Sequence, residues 1–284
     1  MLIYLLANQG WAEISTAVRQ IEGWRFALSI LLVTISRLAV AGRWHVLIQS
    51  AGSGLTASQS IQTTFAGLFA ANFLPTTIGG DVVRLAWAIR LGCDRAVSLA
   101  SLVADRLVGM GGMAMALPFG LGGYLQYFQA ASYPHSSPAV MALPWLRTLQ
   151  DKLSGFTRRL LQVMQLWLSK PGALLLALAF TWVHMLCTFA IVWLLLTGMG
   201  EQISFWLVMG LWSAAYFITL LPISINGMGV QELAMSFFYT TIGGISAPNG
   251  LTLALLMRLI QMLASLPGAF FLPQIMAGKR QTEL

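Results

Sequence analysis

The chain alternates long apolar stretches with short, abrupt interruptions. Uncharged runs cover 44–80, 107–146, 171–200, 202–231 and 233–257. Several exceed the roughly 20 residues that one membrane-spanning helix needs. The pattern predicts apolar helices over 26–41, 58–74, 96–117, 172–197, 205–221, 230–242 and 251–272. Arg43-Trp44-His45 reads as the end of the first span at a headgroup boundary. Gly92-Cys93-Asp94 reads as a turn, and 124–140, rich in aromatic, serine and proline residues, as a loop. Two stretches have a different character. Trp11, Ile14, Val18 and Ile21 fall at helical spacing and predict a short interfacial helix. Trp145, Leu149, Leu153, Phe156, Leu160, Met164 and Trp167 form a longer stripe, with Arg147, Asp151, Lys152, Arg158 and Arg159 on the other faces. That is the pattern of a basic amphipathic helix lying on an anionic membrane surface.

Composition turns this pattern into a class. The 284 residues are 57% hydrophobic and 9% charged, against about 25% charged in a soluble domain. The expected fold is an all-α, polytopic membrane helix bundle of six to eight membrane segments. It forms one integral membrane domain over 1–284, with a first half over 24–128, an amphipathic linker helix over 141–169 and a second half over 171–273. The net charge of +7 comes from scattered bases. It fits the positive-inside bias and anionic headgroups rather than a nucleic-acid partner. Two cysteines are too few for a disulfide framework, and the three histidines have no metal spacing. No metal or cofactor is expected. Residues 1–7 lack the basic start and cleavage site of a signal peptide and read as the tail of a spanning helix.

The interruptions carry the chemistry. Asn72-Phe-Leu-Pro-Thr-Thr-Ile-Gly-Gly-Asp-Val-Val-Arg84 breaks a helix at Pro75 and lets the chain reverse at Gly79 and Gly80. Asp81 is a candidate N-cap for the returning helix, with Arg84 one turn on. Leu221-Pro-Ile-Ser-Ile-Asn-Gly-Met-Gly-Val-Gln-Glu232 repeats the pattern, with Pro222 and Gly227 in the breaking roles and Glu232 as the acid. Each copy leads into an apolar helix with one arginine, Arg106 and then Arg258. Paired interruptions in corresponding places of two halves point to a transporter binding site and to repeat-related halves with broken or re-entrant helices. Charge counting from Lys279-Arg280 starts the two breaks on opposite sides of the membrane, although the arginines of the first favour the cytoplasm; either the two halves are inverted repeats, which is the reading favoured, or the count is one span out.

Seven ionisable residues lie in or beside apolar helices: Arg37, Asp81, Arg84, Asp105, Arg106, Glu232 and Arg258. Exposing all of them to lipid tails would cost on the order of 20 kcal/mol, so they face a protein interior or a wet cavity. Arg37 reads as snorkelling toward its helix end. Asp105 and Arg106 are adjacent, about 100° apart on a helix, so each needs another partner. Asp105 reads as a charge partner. Asp81, Arg84, Arg106, Glu232 and Arg258 read as headgroup and translocation residues, with Arg84 and Glu232 at the hairpin tips and the loss of Arg106 expected to harm folding as well. Helix N-termini with Arg84, Arg106 and Arg258 nearby make an environment suited to phosphate.

Four motifs in this order carry a resemblance. They are Leu-Pro-x-x-Ile-Gly-Gly-Asp-x-x-Arg, Asp105-Arg106-Leu-Val-Gly109, Leu-Pro-Ile-Ser-Ile-x-Gly-x-Gly-Val-x-Glu, and the arginine at 258. The chain resembles the flippase-like family, the transmembrane region of lysylphosphatidylglycerol synthases and their free-standing relatives, over about residues 10–273. The resemblance implies a multi-pass, lipid-handling domain of the cytoplasmic membrane. The soluble aminoacyl-transferring domain of the synthases has no counterpart before Leu284, and no catalytic constellation is visible. The expected function is translocation of a phospholipid or polyprenyl-phosphate-type lipid without covalent chemistry. The rival is an accessory module presenting a lipid to a separate lysyl- or glycosyl-transferase. Partners are therefore membrane lipids, anionic phospholipid or lipid phosphate. A lipid-modifying enzyme and a second copy of the chain remain open as further partners.

Overall fold

A computed structural model describes residues 16, 18–74, 79–131, 167–220 and 229–271, and all of its regular structure among them is helical. The first half holds α1 (Gly23–Ser50), α2 (Ala57–Ala71), α3 (Gly79–Arg90) and α4 (Arg95–Ala116). A 3₁₀ turn, Leu117–Gly120, carrying Pro118, bends the chain into α5 (Leu121–Ala131). The second half holds α6 (Pro171–Gly198), α7 (Phe205–Thr219), α8 (Val230–Phe237) with a π-turn over Phe238–Ile242, and α9 (Ala247–Ser265). Among the described residues four helical stretches are long and apolar enough to cross a membrane: Gly23–Ser50, Arg95–Tyr127, Pro171–Gly198 and Ala247–Phe271. A fifth, Phe205–Thr219, is apolar but shorter. The linker helix expected over 141–169 and the interfacial helix near the start lie outside the described residues, apart from 167–169 and a few positions from Thr16 on.

The two halves share one order of elements. A 28-residue helix leads into a 15-residue helix, a break, a short helix and a long one. The two 28-residue helices pack against each other along their length, and they run antiparallel. Arg25, near the start of α1, donates to the Leu194 carbonyl and to Thr197 Oγ1, near the end of α6. Trp167, just before α6, donates to the carbonyl of Leu47, near the end of α1. Ser36 and His184, which meet at 2.6 Å, are 148 positions apart, the same offset that separates the starts of the two helices. The helices feeding the two breaks therefore set out from opposite ends of the bundle.

Local sequence explains most of the boundaries. Thr56 and Gln59 form a reciprocal capping box at the start of α2. The Asp94 side chain accepts from Val97 N and starts α4. Three expectations change. Helix α1 does not end at Ala41; it continues through the apolar positions Leu47 and Ile48 to the positive-φ Gly52, because a lone arginine is no stop signal when it has a buried partner. Residues 124–131 are helical, not loop, since Pro118 is absorbed in a 3₁₀ turn where its missing amide costs nothing. Asp81 sits in the first turn of α3 rather than at its N-cap, because the helix already starts at Gly79.

The main core lies where α6 and α7 meet α9, around Phe189, Leu195, Leu211, Tyr239, Leu253 and Met257. Large apolar side chains point outward instead on α1, α6 and α7, among them Leu31, Leu175 and Trp206. Such an apolar outer surface is what hydrocarbon, not water, would cover.

Candidate functional site

Glycine brings the legs of the first hairpin together. A Cβ on Gly80 would lie 2.6 Å from the Gly67 carbonyl oxygen, and one on Gly67 would lie 2.8 Å from Arg84 Cγ. Helices α2 and α3 thus touch backbone to backbone, and the Arg84 side chain lies across the contact. It is buried, 4.6 Å over the Trp44 ring. From there it bridges two acids, giving 3.0 Å to Asp81 and two bonds of 3.2 Å to Asp105.

Asp105, 2% exposed, is the hub. Its Oδ1 accepts from Arg43 Nε at 2.6 Å while its Oδ2 accepts both Arg84 nitrogens. Arg43 is itself 8% exposed, and Gly109 makes room for it: a Cβ there would stand 2.9 Å from an Arg43 nitrogen. That accounts for the glycine of the Asp105-Arg106-Leu-Val-Gly109 motif. The next residue, Arg106, faces away and donates to Asp81 at 2.5 Å, its side chain 40% exposed. The result is a continuous chain, Arg43–Asp105–Arg84–Asp81–Arg106. Arg43 was read as a headgroup-boundary residue; its partner in α4 and the longer α1 bring it inside. Arg43 and Arg84 are the enclosed arginines of this chain, and Arg106 is its exposed end.

The second hairpin carries a smaller version. Arg258 Nε pairs with Glu232, which is 1% exposed. The other Glu232 oxygen accepts from the Gly229 amide at 2.7 Å. That is half a capping box, since Gly229, at φ +83°, has no side chain to answer with. Arg106 and Arg258 occupy the same position counted from the N-caps of their helices, Asp94 and Ser246. Each half therefore joins an acid after its break to an arginine in the following helix. Pro75, Pro222 and Gly227 lie outside the described residues; Gly79, Gly80, Asp81, Arg84, Asp105, Arg106, Glu232 and Arg258 are placed as above.

Two adjoining cavities sit beside these pairs. One, of about 220 Å³, is lined by the ion-pair chain together with Val40, Gly109 and Met185. The other, of about 290 Å³, is lined by Ser36, Arg37, Thr188, Ile191, Gln231, Met257 and Gln261 among others. Arg106, Met113, His184 and Tyr216 line both. Arg37 does not reach the end of α1. It stands mid-helix with its Nε enclosed and without a hydrogen-bond partner, so the snorkelling reading gives way to a cavity-lining one. His184 also enters the site; the sequence offered only a lone histidine in an apolar run.

A family model described as Lysylphosphatidylglycerol synthase TM region matches residues 1–268. The chain belongs to this family. No curated protein matches it. Membership makes it a lipid-related membrane protein with several apolar helices. Within this family member, the described residues include no group of three or more histidine, cysteine or acidic side chains placed to hold a metal.

Proposed function

We propose that this protein binds the headgroup of an anionic phospholipid or polyprenyl-phosphate-type lipid and carries it across the bilayer without changing it covalently. One observation carries the reading. Four arginines, at 37, 43, 84 and 106, line the two cavities against two carboxylates, at 81 and 105. An excess of buried positive charge in hydrocarbon is costly unless an anion joins it. Arginine is suited to phosphate oxygens through its planar fork of donors. The cavities are of headgroup size, at or below the low end of ordinary ligand pockets, about 300–1,000 Å³, so the acyl tails stay in the surrounding lipid. Asp81, Arg84, Arg106, Glu232 and Arg258 form the polar path, and Asp105 holds it in shape. The apolar outer faces of α1, α6 and α7 supply the lipid boundary.

Reconstitution into vesicles with labelled anionic lipid tests this, with sidedness and lipid mass read together. Protein-dependent movement without a mass change is the expected result. A new lipid mass made by this chain alone would make it an enzyme. Binding with no movement, gained only when a transferase is added, would make it a presenting module.

A further inference from the structure

We infer that the 290 Å³ cavity is the seat of the lipid phosphate and that Arg37 is the cation that receives it; the inference rests on the lipid-handling reading above. The other four interior arginines each have a carboxylate: Arg43 and Arg84 share Asp105, Arg106 has Asp81, and Arg258 has Glu232. The three acids are thereby engaged. Among the described residues Arg37 has no ion pair, and its Nε is enclosed without an acceptor. A guanidinium in that condition lacks the counter-charge that a buried cation requires, and the space it lines is where a counter-charge can sit.

The lining describes the ligand. Gln231 and Gln261 offer amide donors, and Tyr216 offers a hydroxyl. They suit phosphate oxygens and a small polar substituent. Met235 and Met257 complete the wall with flexible apolar surface that adapts to an alkyl segment at the mouth. Among the described residues no carboxylate lines this cavity, which disfavours a cationic headgroup. The chemistry is that of a phosphodiester monoanion on an amphiphile, with a neutral substituent.

The position of Arg37 adds a geometric reason. It follows Ser36, whose bond to His184 marks the place where the two antiparallel helices cross at corresponding positions. An anion bound there lies between the two halves, next to Arg106 and His184, which also line the neighbouring cavity. A phosphate seated at Arg37 is therefore one step from the ion-pair chain of the first half.

The test uses the purified full chain in neutral detergent with short-chain phosphatidylglycerol, short-chain phosphatidylcholine and inorganic phosphate. Phosphatidylglycerol should bind and raise the melting temperature, with phosphatidylcholine weaker. Arg37→Gln should weaken phosphatidylglycerol binding by about 10- to 100-fold, the loss of one charge-assisted hydrogen bond. Arg37→Lys should fall between. Without lipid, Arg37→Gln should melt at or above the wild-type temperature, because an uncompensated charge has been removed. A structural arginine would do the opposite, and that result overturns the proposal. Gln261→Leu, in the same cavity, should weaken binding while leaving the fold intact. Unchanged binding in both Arg37→Gln and Gln261→Leu would overturn the cavity assignment and leave lipid handling standing. No binding of anionic lipid by the wild type would remove the broader reading itself. Inorganic phosphate displacing the lipid at equal concentration would assign the cavity to a soluble anion and overturn the amphiphile.

Discussion

Corresponding positions in the two halves carry opposite chemistry. Arg43, Arg84 and Asp105 close the first-half cavity with ion pairs. Their counterparts by helix position are Ile191, Met235 and Met257, and all three line the cavity of the second half. The exchange runs further: Gly109 has the counterpart Gln261, and Met185 has the counterpart Arg37. One scaffold thus makes two pockets. In the first the charges satisfy one another, which ties α1, α3 and α4 together. In the second the charge is left facing space. The comparison teaches that a buried arginine is not by itself a site; what matters is whether its counter-charge is already inside the protein.

The strongest way to break this comparison is to remove the hub. Asp105→Ala strands Arg43 and leaves Arg84 with Asp81 as its remaining carboxylate; it should cost about 3–5 kcal/mol, seen as poor accumulation and a large drop in melting temperature. Glu232→Gln removes the carboxylate charge beside Arg258, which is partly exposed, and should cost less, about 1–3 kcal/mol. If Glu232→Gln proves the more damaging, the first half is not the locked one. The hairpin contacts come next. Gly67→Ala forces α2 off α3 and should destabilise by about 1–3 kcal/mol, while Gly229→Ala should cost about 1–2 kcal/mol through its positive φ alone. Urea or thermal unfolding in detergent can rank the two. Arg106→Gln should be milder for stability, about 1 kcal/mol or less, because its side chain is 40% exposed and Asp81 keeps Arg84. It should nonetheless slow lipid movement in vesicles, since Arg106 lines both cavities.

The smallest expected effect concerns the outer end of the second half. Glu201 follows α6, and burial raises its carboxyl, but hydrogen bonds from Ser246 and Asn249 outweigh that and hold it below its ordinary value of 4.5. A carboxyl lowered in the folded state stabilises above its unfolded value, and that contribution disappears as pH falls through the folded value. The wild type should therefore lose a little thermal stability on acidification from about pH 5 downward, and Glu201→Gln should flatten that part of the curve.

Much of this organisation was legible in the chain because its signals are local. Apolar run length gave the long helices, and the two Leu-Pro motifs located both breaks. Asp105 and Arg106, adjacent on one helix, announced that they needed different partners. What was not legible came from long-range pairing. Arg43 looks like a boundary residue until Asp105, 62 positions on, is known to receive it. Arg37 looks like a snorkelling side chain until the longer α1 makes it central. The stop signal for α1 was Gly52, beyond an apolar Leu47-Ile48 pair that deserved more weight than the Arg43-Trp44-His45 cluster. Gln231 and Gln261 carry no charge to attract notice, yet both line the second cavity, and Gln261 stands where the opposite half uses Gly109.

The Ser36–His184 contact bears on how such a molecule can have arisen. In an assembly of two identical halves, residues on the dyad meet themselves: serine would face serine, or histidine would face histidine. A hydrogen bond between identical groups must choose one copy as giver and the other as taker, so the symmetric pair is always internally mismatched. Joining both halves in one polypeptide lifts that restriction. A hydroxyl on one side and an imidazole on the other can divide the roles permanently, and once the centre is no longer a mirror of itself, each half is free to specialise, one as a clasp and the other as a berth.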